Sequence, residues 1–273
     1  MILVTGATGN VGGEVVRALV RGGAPVRALV REPTDLPVEQ AVGDLDRPSS
    51  FADALDGVRG VFLLPGYRDM RGLAAEFANA GVERVVLLSS QAAVATDTGN
   101  VISEFMIRSE DAVRESGPAW TFLRPAAFMS NALRWLPQLR SGDIVSDAFG
   151  DLPIAVIDPA DVAAVATRAL LEAGHEGRAY SLTGPEALLP ADRVRILGRA
   201  LGRDLRFQPE TDEDARARMS AGMPKEYVNA FFSFYRDRTI DETTIHATVE
   251  QLTGRPPRTF EQWTTTHASE FRT

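Results

Sequence analysis

The chain has 273 residues, 44% hydrophobic and 24% charged, a composition that suits a globular protein and excludes a disordered or fibrous one. Its 29 Lys plus Arg against 37 Asp plus Glu give a net charge of -8, which repels a phosphate backbone, so no nucleic-acid partner is expected. The absence of cysteine removes disulfides, thiolate metal sites and cysteine nucleophiles.

Short apolar runs at residues 1–5, 26–30, 58–64, 85–89 and 120–123 alternate with amphipathic stretches at 11–21, 49–55, 70–80 and 101–115. A further short strand is expected through Ala41 and Val42. This alternation predicts an α/β fold: a Rossmann doubly wound sheet of six parallel strands with helices on both faces, occupying residues 1–125. No apolar run approaches the roughly 18 residues of a membrane span, and Met1 leads straight into a strand, so the expected location is cytoplasmic and no membrane partner is expected. After Pro125 the pattern loosens into a helix at 161–173, a strand at 179–182 and helical windows at 191–201, 212–220, 224–235, 243–252 and 259–271. Residues 126–273 are therefore expected to form a small, mostly helical C-terminal substrate lobe, with the helix and strand of 161–182 packing back on the core.

Residues 5–13 read Thr-Gly-Ala-Thr-Gly-Asn-Val-Gly-Gly, directly after the first strand and at the opening of the first helix. Glycines at Gly6, Gly9 and Gly12 let backbone turn sharply and approach a pyrophosphate, whose charge meets free N–H groups at the helix start, around Asn10 and Val11. Thr8 adds a hydroxyl. A bare tight turn is the plain alternative; the position between strand and helix argues for nucleotide binding. Past the second strand come Arg31 and then Glu32. An acid there accepts from a free ribose 2′-OH and an arginine holds a 2′-phosphate; Arg31 comes first, which favours NADP(H) over NAD(H). Asp44 can accept from the adenine amino group, and Leu45 can pack on the ring.

With Gly6, Gly9 and Gly12, Arg31, Gly43-Asp44-Leu45, Leu123-Arg124-Pro125 followed by Phe128 and Asn131, and the tail Leu252-Thr253-Gly254-Arg255-Pro256-Pro257, the chain resembles the NmrA-like atypical short-chain dehydrogenases over nearly its whole length. That group includes NADPH-dependent quinone reductases, reductases of iminium ions, and regulators that bind the cofactor without turnover. The resemblance implies pyrophosphate on the glycine turn, 2′-phosphate near Arg31, adenine near Asp44 and Leu45, and nicotinamide against Leu64, Pro65, Ser89, Ser90, Pro125 and Phe128. The wider superfamily uses a Tyr-x-x-x-Lys pair on the helix after the fifth strand. Here that stretch, residues 101–108, reads Val-Ile-Ser-Glu-Phe-Met-Ile-Arg, and the chain's one lysine is Lys225.

Without that dyad, hydride transfer suits acceptors whose products need little protonation: quinones, conjugated enones and iminium ions. The expected function is an NADPH-dependent reductase of a conjugated or aromatic small molecule, drawing its proton from water or a weak donor. A non-catalytic NADP(H) sensor is the alternative, and a lyase or isomerase on the same fold a third. Ser90 and Gln91 are the polar candidates for catalysis, although both can equally cap their loop. Ile102, Phe105, Met106, Phe128, Trp135 and Phe231 can line a pocket for a flat apolar substrate, or else serve as core. Asp158 and Asp161 read as helix capping, and His175, His246 and His267 lack metal-ligand spacing, so no metal is expected. Both monomer and homodimer remain open.

Overall fold

Strands β1 (Ile2–Thr5), β2 (Val26–Val30), β3 (Glu39–Val42), β4 (Gly60–Leu63), β5 (Arg84–Leu88), β6 (Ala119–Pro125) and β8 (Arg178–Leu182) form one parallel sheet in the order β3-β2-β1-β4-β5-β6-β8. The computed structural model describes residues 1–272; residue 273, the last of the expected lobe, lies outside the described residues. The strands read as continuous apolar runs because both faces are covered. Val4, Phe62 and Val86 enter one core with helices α1 (Asn10–Arg21) and α5 (Pro159–Leu171); Leu3, Val61 and Val85 enter the other with α2 (Met70–Asn79) and α3 (Val101–Arg114). Neighbours along a strand thus point to opposite faces, the period-2 rule.

The sheet has seven strands where six were expected, because the segment around 179–182 pairs in register with β6. The expected helix at 49–55 is a 3-10 turn, Pro48–Leu55, broken at Phe51 with φ -126°. Helix α9 is confined to Thr248–Thr253, short of the expected 243–252. Asp241 explains the late start: its carboxylate accepts from the Thr243 and Thr244 backbone N–H groups, and this local turn competes with helix.

Beyond β6 a third apolar cluster gathers around Trp135, Val145, Val194, Phe260 and Trp263. It is built by α4 (Leu136–Ser141), α6 (Pro190–Leu201) and α10 (Phe260–Thr266), together with β7 (Ile144–Asp147) and β9 (Arg206–Pro209), which pair in parallel as a second small sheet. Helices α7 (Asp212–Ser220) and α8 (Lys225–Tyr235) close its outer side on Ala148 and Phe149.

Candidate functional site

The strand order reverses between β1 and β4, and a cleft opens at the carboxyl ends of the strands there, as expected for an open α/β sheet. Its floor is held shut by the Leu64 N–H, which donates to Thr5 Oγ1 at 3.0 Å. Gly6 turns at φ +61°, and the Gly9 N–H closes the turn on the Gly6 carbonyl at 2.9 Å. Helix α1 then starts at Asn10 with no side chain capping it, so its first N–H groups are not taken up by a cap.

The cleft holds about 760 Å³ and is lined by Gly6, Ala7, Thr8, Leu29, Val30, Arg31, Glu32, Thr34, Gly43, Asp44, Leu45, Asp46, Leu64 and Tyr67. Six residues singled out from sequence, Gly6, Thr8, Arg31, Asp44, Leu45 and Leu64, are thereby brought together. Among the described residues, neither Arg31 nor Glu32 makes a hydrogen bond or ion pair, and both are exposed. Asp44 is more committed than expected: it accepts from the Asp46 N–H at 3.0 Å and pairs with Arg47 at 3.0 Å, and these contacts, the backbone one first, hold its carboxyl below the usual range. Tyr67 was not singled out for this cleft. Burial, then the nearby Asp46 carboxylate, pushes its phenol upward, so it stands there as a neutral hydroxyl. Asn10 is not among the residues lining the cleft, and its amide donates to Ser130 Oγ at 3.2 Å.

The residues expected around the nicotinamide lie at the carboxyl ends of three neighbouring strands: Leu64 and Pro65 after β4, Ser89 and Ser90 after β5, and Pro125 and Phe128 at and after the end of β6. Ser89 is buried and donates to Glu110 Oε1 at 2.6 Å; Glu110 is in turn clasped by Arg124 through contacts of 2.9 and 2.6 Å. The Ser89 hydroxyl is thus spent on a brace linking β5, α3 and β6. Glu110 was invisible as a site residue, since its partner Arg124 arrives from the next strand, 14 residues further along the chain. Ser90 caps the 3-10 turn Gln91–Val94 by accepting from the Ala92 N–H, which leaves its own proton free to donate. Gln91 is buried, and its Nε2 has no partner among the described residues. Phe128 is half-buried and bridged through its backbone to Ile157, while Pro125 is buried and Pro65 half-buried.

Of the aromatic and soft candidates, Ile102, Met106 and Phe231 share one cluster with Ala92, Ala95 and Phe234 beside the Ser90 turn. The Phe105 ring lies over Gly66 in the loop after β4. Trp135 is a correction. It is 1% exposed in the core of the C-terminal half, with its indole N–H given to Asp147 at 2.9 Å, so it lines no cleft. Asp158 caps α5 through the Ala160 N–H, and Asp161, wholly buried, pairs with Arg255 at 2.7 Å.

A family described as NAD(P)H-binding matches residues 6–173. The chain belongs to that family. It is 44% identical to a (4-alkanoyl-5-oxo-2,5-dihydrofuran-3-yl)methyl phosphate reductase of Streptomyces griseus, covering 99% of both chains. It is 37% identical to an NAD(P)H azoreductase of Xenophilus azovorans, again covering 99% of both. A structure of an NADPH-dependent quinone oxidoreductase from Escherichia coli in complex with NADPH superposes with a TM-score of 0.80 at 25% identity, over 97% of this chain and 99% of that one. These relatives agree with the NmrA-like resemblance, and the chain is an NAD(P)H-dependent oxidoreductase.

The residues present fit the family's dinucleotide. A Cβ at Gly12 would lie 2.2 Å from the Gly6 carbonyl oxygen, so the turn can be this tight only with glycine there, and its backbone can approach a pyrophosphate. The wide cleft beside it ends on an unpaired guanidinium.

Proposed function

We propose that the chain is an NADPH-dependent reductase of conjugated small-molecule acceptors, and that NADP(H) is preferred over NAD(H). The observation that carries the cofactor preference is Arg31, unpaired in the wall of the cleft just past β2. A guanidinium there can clasp a 2′-phosphate, with Thr34 beside it. On this reading Gly6, Thr8, Gly9, Val11 and Gly12 hold the pyrophosphate, Asp44 and Leu45 the adenine, and Leu64, Pro65, Pro125 and Phe128 the nicotinamide; bound there, the cofactor supplies a hydride. Ile102, Met106 and Phe231 offer the acceptor an apolar wall, with Phe105 at its edge. The furanone named for the Streptomyces relative and the azo group named for the Xenophilus one are both conjugated acceptors, in keeping with a chain that has no Tyr-x-x-x-Lys pair on α3.

The test is NADPH oxidation followed by absorbance against quinones, conjugated furanones, azo dyes, iminium ions and simple ketones. Turnover of at least one conjugated class, with simple ketones far slower, is the expected result. NADPH binding without oxidation by any acceptor would leave a cofactor sensor in its place.

A further inference from the structure

A second cavity, of about 210 Å³, lies between the end of α8 and the loop that follows it, lined among others by Phe234, Tyr235, Arg238, Ile240, Asp241 and Glu242. Glu242 is 8% exposed. Its carboxylate accepts from the Tyr235 hydroxyl at 3.2 Å and lies near the backbone N–H of Ala127, which favours its charged form. Its backbone is fixed as well, the Glu242 carbonyl accepting from the Ala155 N–H at 2.8 Å. Ala127 belongs to the segment between Pro125 and Phe128, which the proposed function places against the nicotinamide. Tyr235 is shared: its ring packs in the core of the C-terminal half and also in the cluster of Ile102, Met106 and Phe231 that would receive the acceptor. The Ala155 N–H that holds the Glu242 backbone lies two residues from Ile157, whose N–H donates to the Ala127 carbonyl at 3.0 Å, so the buried carboxyl sits beside the proposed nicotinamide segment and its tyrosine partner borders the proposed substrate wall.

We propose that Glu242, positioned by Tyr235, is the proton donor of this reductase, and that the cavity beside it takes the oxygen-bearing end of the acceptor. The proposal rests on the reductase reading and deepens it. As hydride reaches the electrophilic carbon, the conjugated electron pair moves to the acceptor's oxygen; the Glu242 O–H bond breaks and the product O–H bond forms. Glu242 is left as a carboxylate and regains a proton from water at the cavity mouth. One hydride and one proton are consumed for each carbonyl-bearing acceptor reduced, whereas an iminium ion takes the hydride alone and draws no proton from Glu242.

The surroundings favour both protonation states in turn. Burial pushes the Glu242 carboxyl up to about 7, so that it carries a proton near neutral pH. Once the proton has left, the Tyr235 hydroxyl stays in place as a donor, the nearby Ala127 N–H and the charge of Arg193 on α6 favour the carboxylate, and Asp241 in the same loop opposes it. Arg193 is itself 6% exposed, makes no hydrogen bond through its guanidinium among the described residues, and lies 5.9 Å from the Trp135 ring centroid. Arg134 and Asp147 lie near Arg193 and offset one another there. Tyr235 cannot be the acid that ionises, since burial and then Glu242 hold its phenol far above the usual range.

Two readouts test this. By infrared difference spectroscopy on the whole protein without cofactor, a carboxyl band that titrates near pH 7 should be present in the wild type and missing from Glu242→Gln. In steady state with the best quinone or conjugated carbonyl acceptor, Glu242→Gln should lose about 10²-fold in kcat, the usual contribution of general acid catalysis, and should lose the wild type's decline above neutral pH. Tyr235→Phe removes a donor to the carboxylate, so it should move both the band's titration and the decline to higher pH, a shift that a merely structural tyrosine would not produce. Wild-type kcat and pH profile in Glu242→Gln, or no carboxyl titrating between pH 6 and 8, would overturn the proposal while leaving the reductase reading intact. Failure of the wild type to oxidise NADPH with every acceptor class would remove both.

Discussion

Arg31 makes no hydrogen bond or ion pair among the described residues, although its charge reaches Asp44 and Tyr67, and the proposed cofactor preference rests on it. Replacing it with alanine should shrink the preference for NADPH over NADH by about 1.5–3 kcal/mol, the worth of a charge-assisted hydrogen bond, in paired fluorescence titrations. Equal wild-type affinities would give the ribose to Glu32. The glycines of the turn are not equivalent either. A Cβ on Gly9 would stand 3.3 Å from the Gly6 oxygen, a tight but yielding contact, whereas one on Gly12 would stand at 2.2 Å from the same backbone atom. Gly12→Ala should therefore weaken NADPH binding by more than tenfold and lower Tm, and Gly9→Ala should do much less; matching affinities for the two variants in calorimetry would contradict this account of the turn. Residues whose role depends on their place beside a strand end, such as Gly6, Thr8, Arg31 and Leu45, were legible in sequence because strand and turn are local. Glu110 and Glu242 were not. Each is an ordinary acid in its own segment and becomes a buried one through contacts beyond it, Glu110 with Arg124 on β6 and Glu242 with Tyr235 and the Ala155 backbone.

At the scale of elements, the parallel sheet declared itself because strands buried on both faces are short, apolar and evenly spaced. Strands β7 and β9 escaped notice. They are four residues each, half-exposed, and pair across more than fifty residues, so neither run carries a pattern of its own. The proline-rich tail shows how an irregular segment is held instead. Arg255 pairs with Asp161 at 2.7 Å, the Arg258 backbone N–H donates to the same carboxylate at 2.7 Å, and the Arg258 side chain reaches Asp158 at 3.3 Å. Asp161 is 0% exposed. Arg255→Ala should thus cost about 3 kcal/mol, the low end for breaking a buried pair because Arg255 itself reaches solvent and the Arg258 N–H remains. Chemical denaturation measures it; a loss under about 0.5 kcal/mol would mean that the pair is worth no more than a surface one.

Across the whole molecule, the two halves of the chain are stitched together close to the cleft. The Asn10 amide donates to Ser130, the Asn100 amide to the Ala230 carbonyl and the Thr96 N–H to the Thr239 carbonyl; within the C-terminal half the Ala155 N–H donates to the Glu242 carbonyl. The loop that carries Glu242 is therefore part of the folded core, and its titration is felt by global stability. A carboxyl whose folded pKa lies above its unfolded value binds its proton more tightly when folded. Its contribution is thus fully present below the unfolded pKa and is lost as pH rises through the folded one. For Glu242, with about 7 in the fold against 4.5 as the ordinary value, the loss falls between those two pH values and is on the order of 3 kcal/mol. Asp158, also raised by burial, acts with the same sign, whereas Asp241, lowered by the Thr244 and Thr243 donors, loses its contribution only on acidification. Comparing wild type with Glu242→Gln cancels those other groups. The difference in unfolding free energy between the two proteins should move against the wild type as pH rises from about 4.5 to about 7 and level off above. A difference that stays flat across that range would mean that Glu242 is already ionised at acid pH and holds no proton to give.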